Sequence, residues 1–265
     1  MNESGLELRP MQPSDVPAAL HIIQEYDVED ATEARETYDA GLEGHYCLCE
    51  RQTIIGIAGA KPIENTDGSF GMSWTYIRRS DRRSGKLLQM LQWVTEIMVE
   101  EGGRKVFVQI SDDSNAVDGD VYFDLREAYK RTGFIQEIRH TDFYTPGVAQ
   151  LVLGMRLLPR QPTAVPLDTH DLKVTDIDEI PETNDVYWIA WDLVPTGQGT
   201  NPADFDRIFQ EVKSWGGRFL YMAFPSDLAN VSPWMSAARF RLAGRLQDYY
   251  EDGVDELHFR YDLPS

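Results

Sequence analysis

Cysteine is scarce in this chain of 265 residues, where only Cys47 and Cys49 occur. Two thiols exclude a disulfide framework and a cysteine-based zinc site. Their i, i+2 spacing puts both on one face of a strand, where buried thiols are expected rather than a redox pair. Long apolar runs are also missing, and no stretch approaches the roughly 20 residues of a membrane span. The opening MNESGLELRP has neither the basic region nor the apolar core of a secretory signal, so a cytoplasmic location is expected. Cations are the third scarcity, with 25 Lys and Arg against 44 Asp and Glu and a formal charge of −19. Phosphate contacts need cations, so general nucleic-acid binding is excluded. The five histidines, His21, His45, His140, His170 and His258, show no metal-ligand spacing, and no metal is expected.

One segment breaks the acidic pattern. RRSDRRSGKLLQML begins at Arg78 and holds Arg78, Arg79, Arg82, Arg83 and Lys86, with Asp81 as the only acid. A glycine and an apolar helical stretch follow. Helix N-termini expose unpaired N–H groups and a positive dipole end, and they bind phosphate. A glycine there lets the backbone approach an anion closely. Arg82, Arg83, Ser84, Gly85, Lys86 and Leu87 are the candidate anion-binding residues. Taken alone, the run also reads as a basic surface turn before an ordinary helix.

The rest of the first 158 residues reads as mixed α/β (α+β). LELRP is a short strand. PSDVPAALHIIQEY has Ser14 and Asp15 as N-cap candidates and continues as an apolar-faced helix. DATEARETYDAGL is a second helix stopped at Gly41. HYCLCER and TIIGIAGAKPI are strand-like, and NTDGS turns into FGMSWTYI. That strand alternates Met72, Trp74 and Tyr76 against Ser73, Thr75 and Ile77. After the basic run, Leu87, Leu91, Val94 and Met98 keep helical spacing up to Gly102-Gly103. RKVFVQIS is a strand, DDSNAVDGD an acidic loop and LREAYKRTGF a short helix, and two strands run on to about Leu158.

PRQPTAVPLDTHD, residues 159–171, has three prolines and no periodicity and reads as a linker. Beyond it the chain repeats itself. EGGRKVFVQISD answers to WGGRFLYMAFPSD, and Asp142, Tyr144, Gly147 and Leu157 align without a gap on Asp248, Tyr250, Gly253 and Leu263. Such self-similarity predicts two related units, residues 1–158 and a shorter partner at 172–265. The repeated DFYTPG and DYYEDG are expected to preserve turn geometry. Trp188, Trp191, Trp215 and Trp234 are expected in the core or interface of the second unit.

These landmarks resemble the GNAT superfamily of acyl-CoA-dependent N-acetyltransferases. LELRPMQPSDVPAAL is similar to the family's opening strand and helix. YIRRSDRRSGKLL resembles the end of its fourth strand leading into its third helix, although Leu87 stands where a small residue is usual. AYKRTGF resembles its Tyr-x-x-x-Gly-Phe signature, with Tyr129 four residues before Gly133. The second unit is similar to the C-terminal half of the same fold, with Asn201 in place of a loop glycine, Met235 in place of Tyr129 and Arg239 in place of Gly133. Read plainly, Asn201-Pro202 is an N-cap followed by proline. The architecture resembles a tandem GNAT protein with a partial, degenerate second domain.

The resemblance implies acetyl-CoA as co-substrate, with an acetyl group passing to a primary amine of a small molecule or peptide. A strand amide near Tyr76 or Ile77 would stabilise the developing oxyanion, and Tyr129 would protonate the departing thiolate. The proton acceptor is open among Glu29, Asp30, Glu33 and Asp142, with Glu33 taken as the representative. Together YDVEDATEARE would form an acidic rim attractive to a cationic amine. The runner-up is a CoA-binding or scaffolding protein without turnover. The oligomeric state is open, and a homodimer is admitted.

Overall fold

A computed structural model of the chain describes residues 5–82, 84–113, 121–161 and 165–264. Arg83, most of the acidic loop after β5, and residues 162–164 of the linker lie outside the described residues. The first strand, β1 (Leu6–Pro10), leads through a short 3-10 turn into α1 (Val16–Gln24) and α2 (Val28–Ala40). Asp15 does not cap α1 as expected. Its carboxylate is taken by Arg9 at 2.6 and 3.0 Å and by the Gln12 amide at 2.8 Å. The cap of α2 is Asp27, whose side chain accepts from the amides of Glu29 and Asp30.

An antiparallel meander follows, β2 (His45–Glu50), β3 (Thr53–Pro62) and β4 (Ser69–Ile77). Its β-branched and alternating apolar residues fill both faces, with Cys47 and Cys49 buried and burial pushing the Cys47 thiol up to about 12. Next come α3 (Lys86–Glu100), β5 (Lys105–Asp113), α4 (Phe123–Thr132), β6 (Ile135–His140) and β7 (Val148–Arg156). The strand order in this sheet is β1-β2-β3-β4-β5-β7-β6. One core packs α1 and α2 on the sheet through Leu20, Ile22, Ile23, Ala34 and Tyr38.

The expected alternation of β4 fails in its middle. Gly59 pairs with Ser73 and Ile57 with Tyr76, so two residues, Trp74 and Thr75, oppose the single Ala58. Trp74 takes a positive φ of 45° to make this bulge. Thr75 is thereby turned inward with Tyr76 and Ile77, and Ser73 stays exposed.

The second sheet comprises β8 (Asp171–Glu179), β9 (Val186–Val194), β10 (Phe219–Pro225), β11 (Arg241–Glu251) and β12 (Val254–Asp262), with α5 (Phe205–Ser214) and α6 (Val231–Ala237) between them. Its order, β8-β9-β10-β12-β11, repeats the β3-β4-β5-β7-β6 order of the first sheet. The pairing senses recur as well. β8–β9 is antiparallel like β3–β4, and β9–β10 is parallel like β4–β5. The duplicated turns are alike in detail. Asp142 (φ 55°) accepts from Gly147 N–H at 2.7 Å, and Asp248 (φ 51°) accepts from Gly253 N–H at 2.8 Å. Asp142 is thus a turn former. Asn201 caps as the plain sequence reading expected, accepting from Ala203 N–H at 2.9 Å. Trp191 and Trp234 pack against the core of this sheet, whereas Trp215 is half exposed.

Two compact units emerge, residues 1–110, 121–135 and 153–159 in the first, and 111–120, 136–152 and 160–265 in the second. The second therefore takes in residues 136–152, which the sequence pattern grouped with the first domain. Among the described residues, no helix is long and apolar enough to cross a membrane.

Candidate active site

The site of the first unit starts from a parting of strands. β4 and β5 pair in parallel only from Ser69 to Met72 and from Lys105 to Val108. β4 runs on to Ile77 and β5 to Asp113, past the last pair between them. Arg78 N–H donates back to Ile55 on β3 at 2.7 Å. By strand alternation the preceding residue, Ile77, turns its N–H and C=O to the open side. Tyr26 takes that carbonyl with its hydroxyl at 2.6 Å. Of the two amides expected here, Tyr76 and Ile77, it is Ile77 that faces the gap.

A cavity of about 540 Å³ opens at this point. Thr75, Tyr76 and Ile77 form one wall, and Arg82, Gly85 and Leu87 another. Tyr122, just before α4, and residues along the helix, among them Ala128 and Arg131, complete it.

Gly85 is the N-cap of α3, in the left-handed region at φ +80°. A Cβ there would meet nothing within 4 Å, so the space before it is open. Gln89 N–H makes the first helical bond, to the Gly85 carbonyl at 3.2 Å. Lys86 N–H reaches only the Ser84 hydroxyl, at 3.4 Å. Leu87 and Leu88 occupy the first turn, where amides lack helical partners. The core stripe of α3 is Met90, Leu91, Val94 and Met98. Leu87 lies off that stripe, half exposed and on the cavity wall.

The side-chain cations are less free than their run suggests. Asp81, almost buried, takes Arg78 at 2.7 Å and Lys86 at 2.7 Å. Lys86 also meets Glu50 at 2.9 Å. Burial alone would raise the Asp81 carboxyl, but the bonds from Lys86 and Arg78 outweigh it and lower it. Arg82 pairs with Asp124 at 3.1 Å, and the guanidiniums of Arg79 and Arg82 each lie 5.3 Å from the Tyr26 ring. The acid within the run thus organises the loop, and among the described cations Arg82 and Arg131 line the cavity. Arg83 lies outside the described residues.

Tyr129 is fully buried, its ring edge-on to Phe134 at 4.9 Å. Among the described residues its hydroxyl has no hydrogen-bond partner of good geometry, although the Thr75 hydroxyl lies near it. Burial raises the phenol, and the nearby Thr75 hydroxyl acts against that shift. Tyr129 does not line the cavity, although its neighbours Ala128 and Thr75 do. Glu33 sits half exposed on α2 and is likewise absent from the cavity wall, and Glu29 is exposed. Asp30 is the acid that the fold draws in. Its Oδ2 accepts from Tyr122 Oη at 2.5 Å and from Tyr76 Oη. Tyr26 packs beside Tyr76 with ring centroids 5.3 Å apart. Tyr122 carried no local sequence signal, because its partner lies in another helix.

No protein-family model matches the sequence, and no curated protein matches it. Solved structures do match the backbone. A structure from Desulfovibrio desulfuricans, assigned to the GNAT family of acetyltransferases, agrees with a TM-score of 0.51 at 22% identity, over 58% of this chain and 99% of its own. The chain carries the GNAT fold. Ard1 from Thermoplasma volcanium matches with a TM-score of 0.49 at 13% identity, over 58% and 99% of the two chains. The ribosomal-protein-S18-alanine N-acetyltransferase from Escherichia coli matches with a TM-score of 0.48 at 13% identity, over 60% and 99%.

Within the GNAT-like sheet β4, where it has parted from β5, lines the cavity with Thr75, Tyr76 and Ile77. The gap between β9 and β10 differs. These strands pair over only Val186–Trp188 and Phe219–Tyr221. Beyond that point Trp191 on β9 donates its indole N–H to the Ala223 carbonyl on β10 at 3.0 Å, with its ring 4.9 Å from Phe224. An indole therefore bridges the second gap.

Proposed function

We propose that the first unit is an acetyl-CoA-dependent N-acyltransferase acting on a primary amine of a small molecule or peptide. The observation that carries this reading is a convergence. The open amide cradle of α3 and the gap-facing Ile77 N–H border one cavity. The residues present suit the cofactor. The space before Gly85 is clear, the first-turn amides are available, and among the described residues the buried Tyr129 hydroxyl lacks a partner of good geometry. Acetyl-CoA supplies an activated acyl group.

The chain's own groups have separable tasks. The α3 amides and dipole hold a pyrophosphate, with Arg82 and Arg131 adding charge. Ile77 N–H would receive the negative charge that develops on the acyl oxygen. As the amine nitrogen formed its bond to the acyl carbon and the C–S bond broke, the Tyr129 hydroxyl would give its proton to the leaving sulfur and take up the proton that the nitrogen sheds. Burial that raises this phenol also raises a thiol seated beside it, so the transfer stays near balance.

The second unit is read as a partial GNAT-like domain that takes no CoA. Trp191 fills its strand gap, and Met235, fully buried, stands where Tyr129 stands in the first unit.

A binding protein without turnover is the competing reading, favoured by the distance of Tyr129 and Glu33 from the cavity wall. Incubation with acetyl-CoA and a panel of polyamines, amino acids, aminoglycosides and peptide N-termini, followed by free-thiol release, separates the two. Thiol release supports the transferase. Thermal stabilisation by CoA without release supports the binding protein, and no stabilisation by any CoA species contradicts both.

A further inference from the structure

We infer that Asp30, Tyr76 and Tyr122 form the site that receives the acceptor as an ammonium ion and takes its proton. The inference rests on the acyltransferase reading and assigns that reaction's proton acceptor to Asp30.

Three elements converge on one atom. Asp30 comes from α2, Tyr76 from β4 and Tyr122 from the start of α4, and both hydroxyls meet Asp30 Oδ2. An ionised carboxylate has no proton to give, so the direction of both bonds is set, and the phenols donate. A phenol has a single O–H. Having given it to Asp30, each oxygen can only accept from anything else. Both tyrosines line the cavity, so the head group that suits them there is one that donates without accepting. A primary ammonium has three N–H donors and no lone pair, whereas a carboxylate or phosphate would set acceptor against acceptor.

The place is right for chemistry as well as binding. Tyr76 immediately precedes Ile77, whose N–H faces the gap, and Tyr26 fixes the Ile77 carbonyl at 2.6 Å. Amine and acyl oxygen would thus meet adjacent positions of β4. Asp27 holds the first turn of α2 by accepting from the amides of Glu29 at 2.7 Å and Asp30 at 3.3 Å. Among the described residues, the charged groups around the cluster include Asp27, which acts on Tyr122, Glu25, which acts on Tyr26, and Arg79 and Arg82 on the Tyr26 ring, with Arg82 tied to Asp124.

Proton movement balances without a further reactant. One ammonium N–H proton passes to a tyrosine oxygen while that tyrosine's own proton passes to Asp30 Oδ2. The amine is left neutral with its lone pair, the phenol is unchanged, and Asp30 is a carboxylic acid. Burial, together with the neighbouring phenol and Asp30, raises Tyr76, and burial and Asp30 raise Tyr122, so both keep their protons at rest.

Calorimetric titration of the full chain with 2-phenylethylamine and with phenylacetate, with CoA present, tests the binding. The amine should bind at least about tenfold more tightly than phenylacetate. Asp30→Asn should remove at least that factor, and Tyr122→Phe a smaller one, while CoA still stabilises both variants as it does the wild type. With acetyl-CoA, Asp30→Asn should cut kcat/KM for 2-phenylethylamine at least about tenfold. The same variant should leave aniline, which is already neutral, within about threefold. Equal binding of amine and acid, no binding of the amine, or an Asp30→Asn variant that treats both amines as the wild type does would overturn the assignment. Failure of CoA to stabilise the wild type would instead sink the acyltransferase reading, with the amine preference still read independently.

Discussion

Tyr122, the residue before α4, donates its hydroxyl to Oδ2 of Asp30 in α2 across 2.5 Å, although 92 positions separate them. This bond ties the start of α4 to the helical layer and frames the cavity. A hydrogen bond to a charged acceptor contributes about 2 kcal/mol. Tyr122→Phe should therefore lower unfolding free energy by about 1–2 kcal/mol in urea titrations, with no change in the slope against denaturant.

Gly85 separates backbone strain from ligand charge. Its φ of +80° penalises any Cβ, yet open space surrounds the position. Gly85→Ala should cost about 1 kcal/mol of stability through backbone conformation. Gly85→Glu should cost a similar amount and also set a carboxylate at the amide cradle. At a CoA concentration about 100 times Kd, the wild type should gain about 2.7 kcal/mol. Gly85→Glu should gain almost none, as read from melting curves with and without CoA.

Asp81 is the test of the basic run. It accepts from Arg78 and Lys86, both at 2.7 Å, and is almost buried. Asp81→Asn removes the shared charge and leaves two cations facing one another's field. A loss of about 2 kcal/mol is expected, tempered by the exposure of Arg78. The folded-state carboxyl titrates below its ordinary value. Its contribution is thus present above about pH 4 and fades as pH falls further. Denaturation at pH 7 and at pH 3 should show the variant's deficit shrinking in acid.

Two buried imidazoles set a second pH dependence. His45 is held at about 4 and His140 at about 3, in each case first by burial. Among the described residues, neither His45 ring nitrogen has a partner. His258 gives its Nε2–H to Glu256 at 2.7 Å, so its Nδ1 accepts from His140 Nε2–H at 3.1 Å. That leaves the His140 Nδ1 lone pair buried and, among the described residues, unpartnered. Both rings must stay neutral in the native state and gain protons more readily when unfolded. Their stabilisation is complete above about pH 6.5 and is lost as pH falls toward 4 and 3. Each should withdraw about 2 kcal/mol between pH 7 and pH 5. His45→Phe should flatten that slope by about 2 kcal/mol in denaturation series at the two pH values.

Local pattern explains what could be read from sequence alone. The α3 start was legible because Gly85 and the apolar spacing behind it act within one helix. The repeat was legible because Asp142 with Gly147 and Asp248 with Gly253 build the same turn. The bulge at Trp74 was not, since it appears only in register against Ala58. The run of cations suggested free charge, because its counter-ions Glu50 and Asp124 lie on other elements. The phenols around Asp30 and the His140–His258 pair are assembled wholly by tertiary structure, and no spacing rule joins residues so far apart. Glu33 was as good a candidate as Asp30 in the linear chain. Only the packing of β4 and the start of α4 against α2 distinguishes them.

The decisive measurement is free-thiol release from acetyl-CoA with primary amines, by wild type and Tyr129→Phe, alongside their melting temperatures. Among the described residues the buried Tyr129 hydroxyl has no partner of good geometry, so its removal should leave stability unchanged or raise it by about 1 kcal/mol. Amine-dependent release by the wild type is expected, with a drop of at least about tenfold in the variant, the low end of a general-acid contribution. Release by the wild type no faster than without protein, across the whole amine panel, would contradict it.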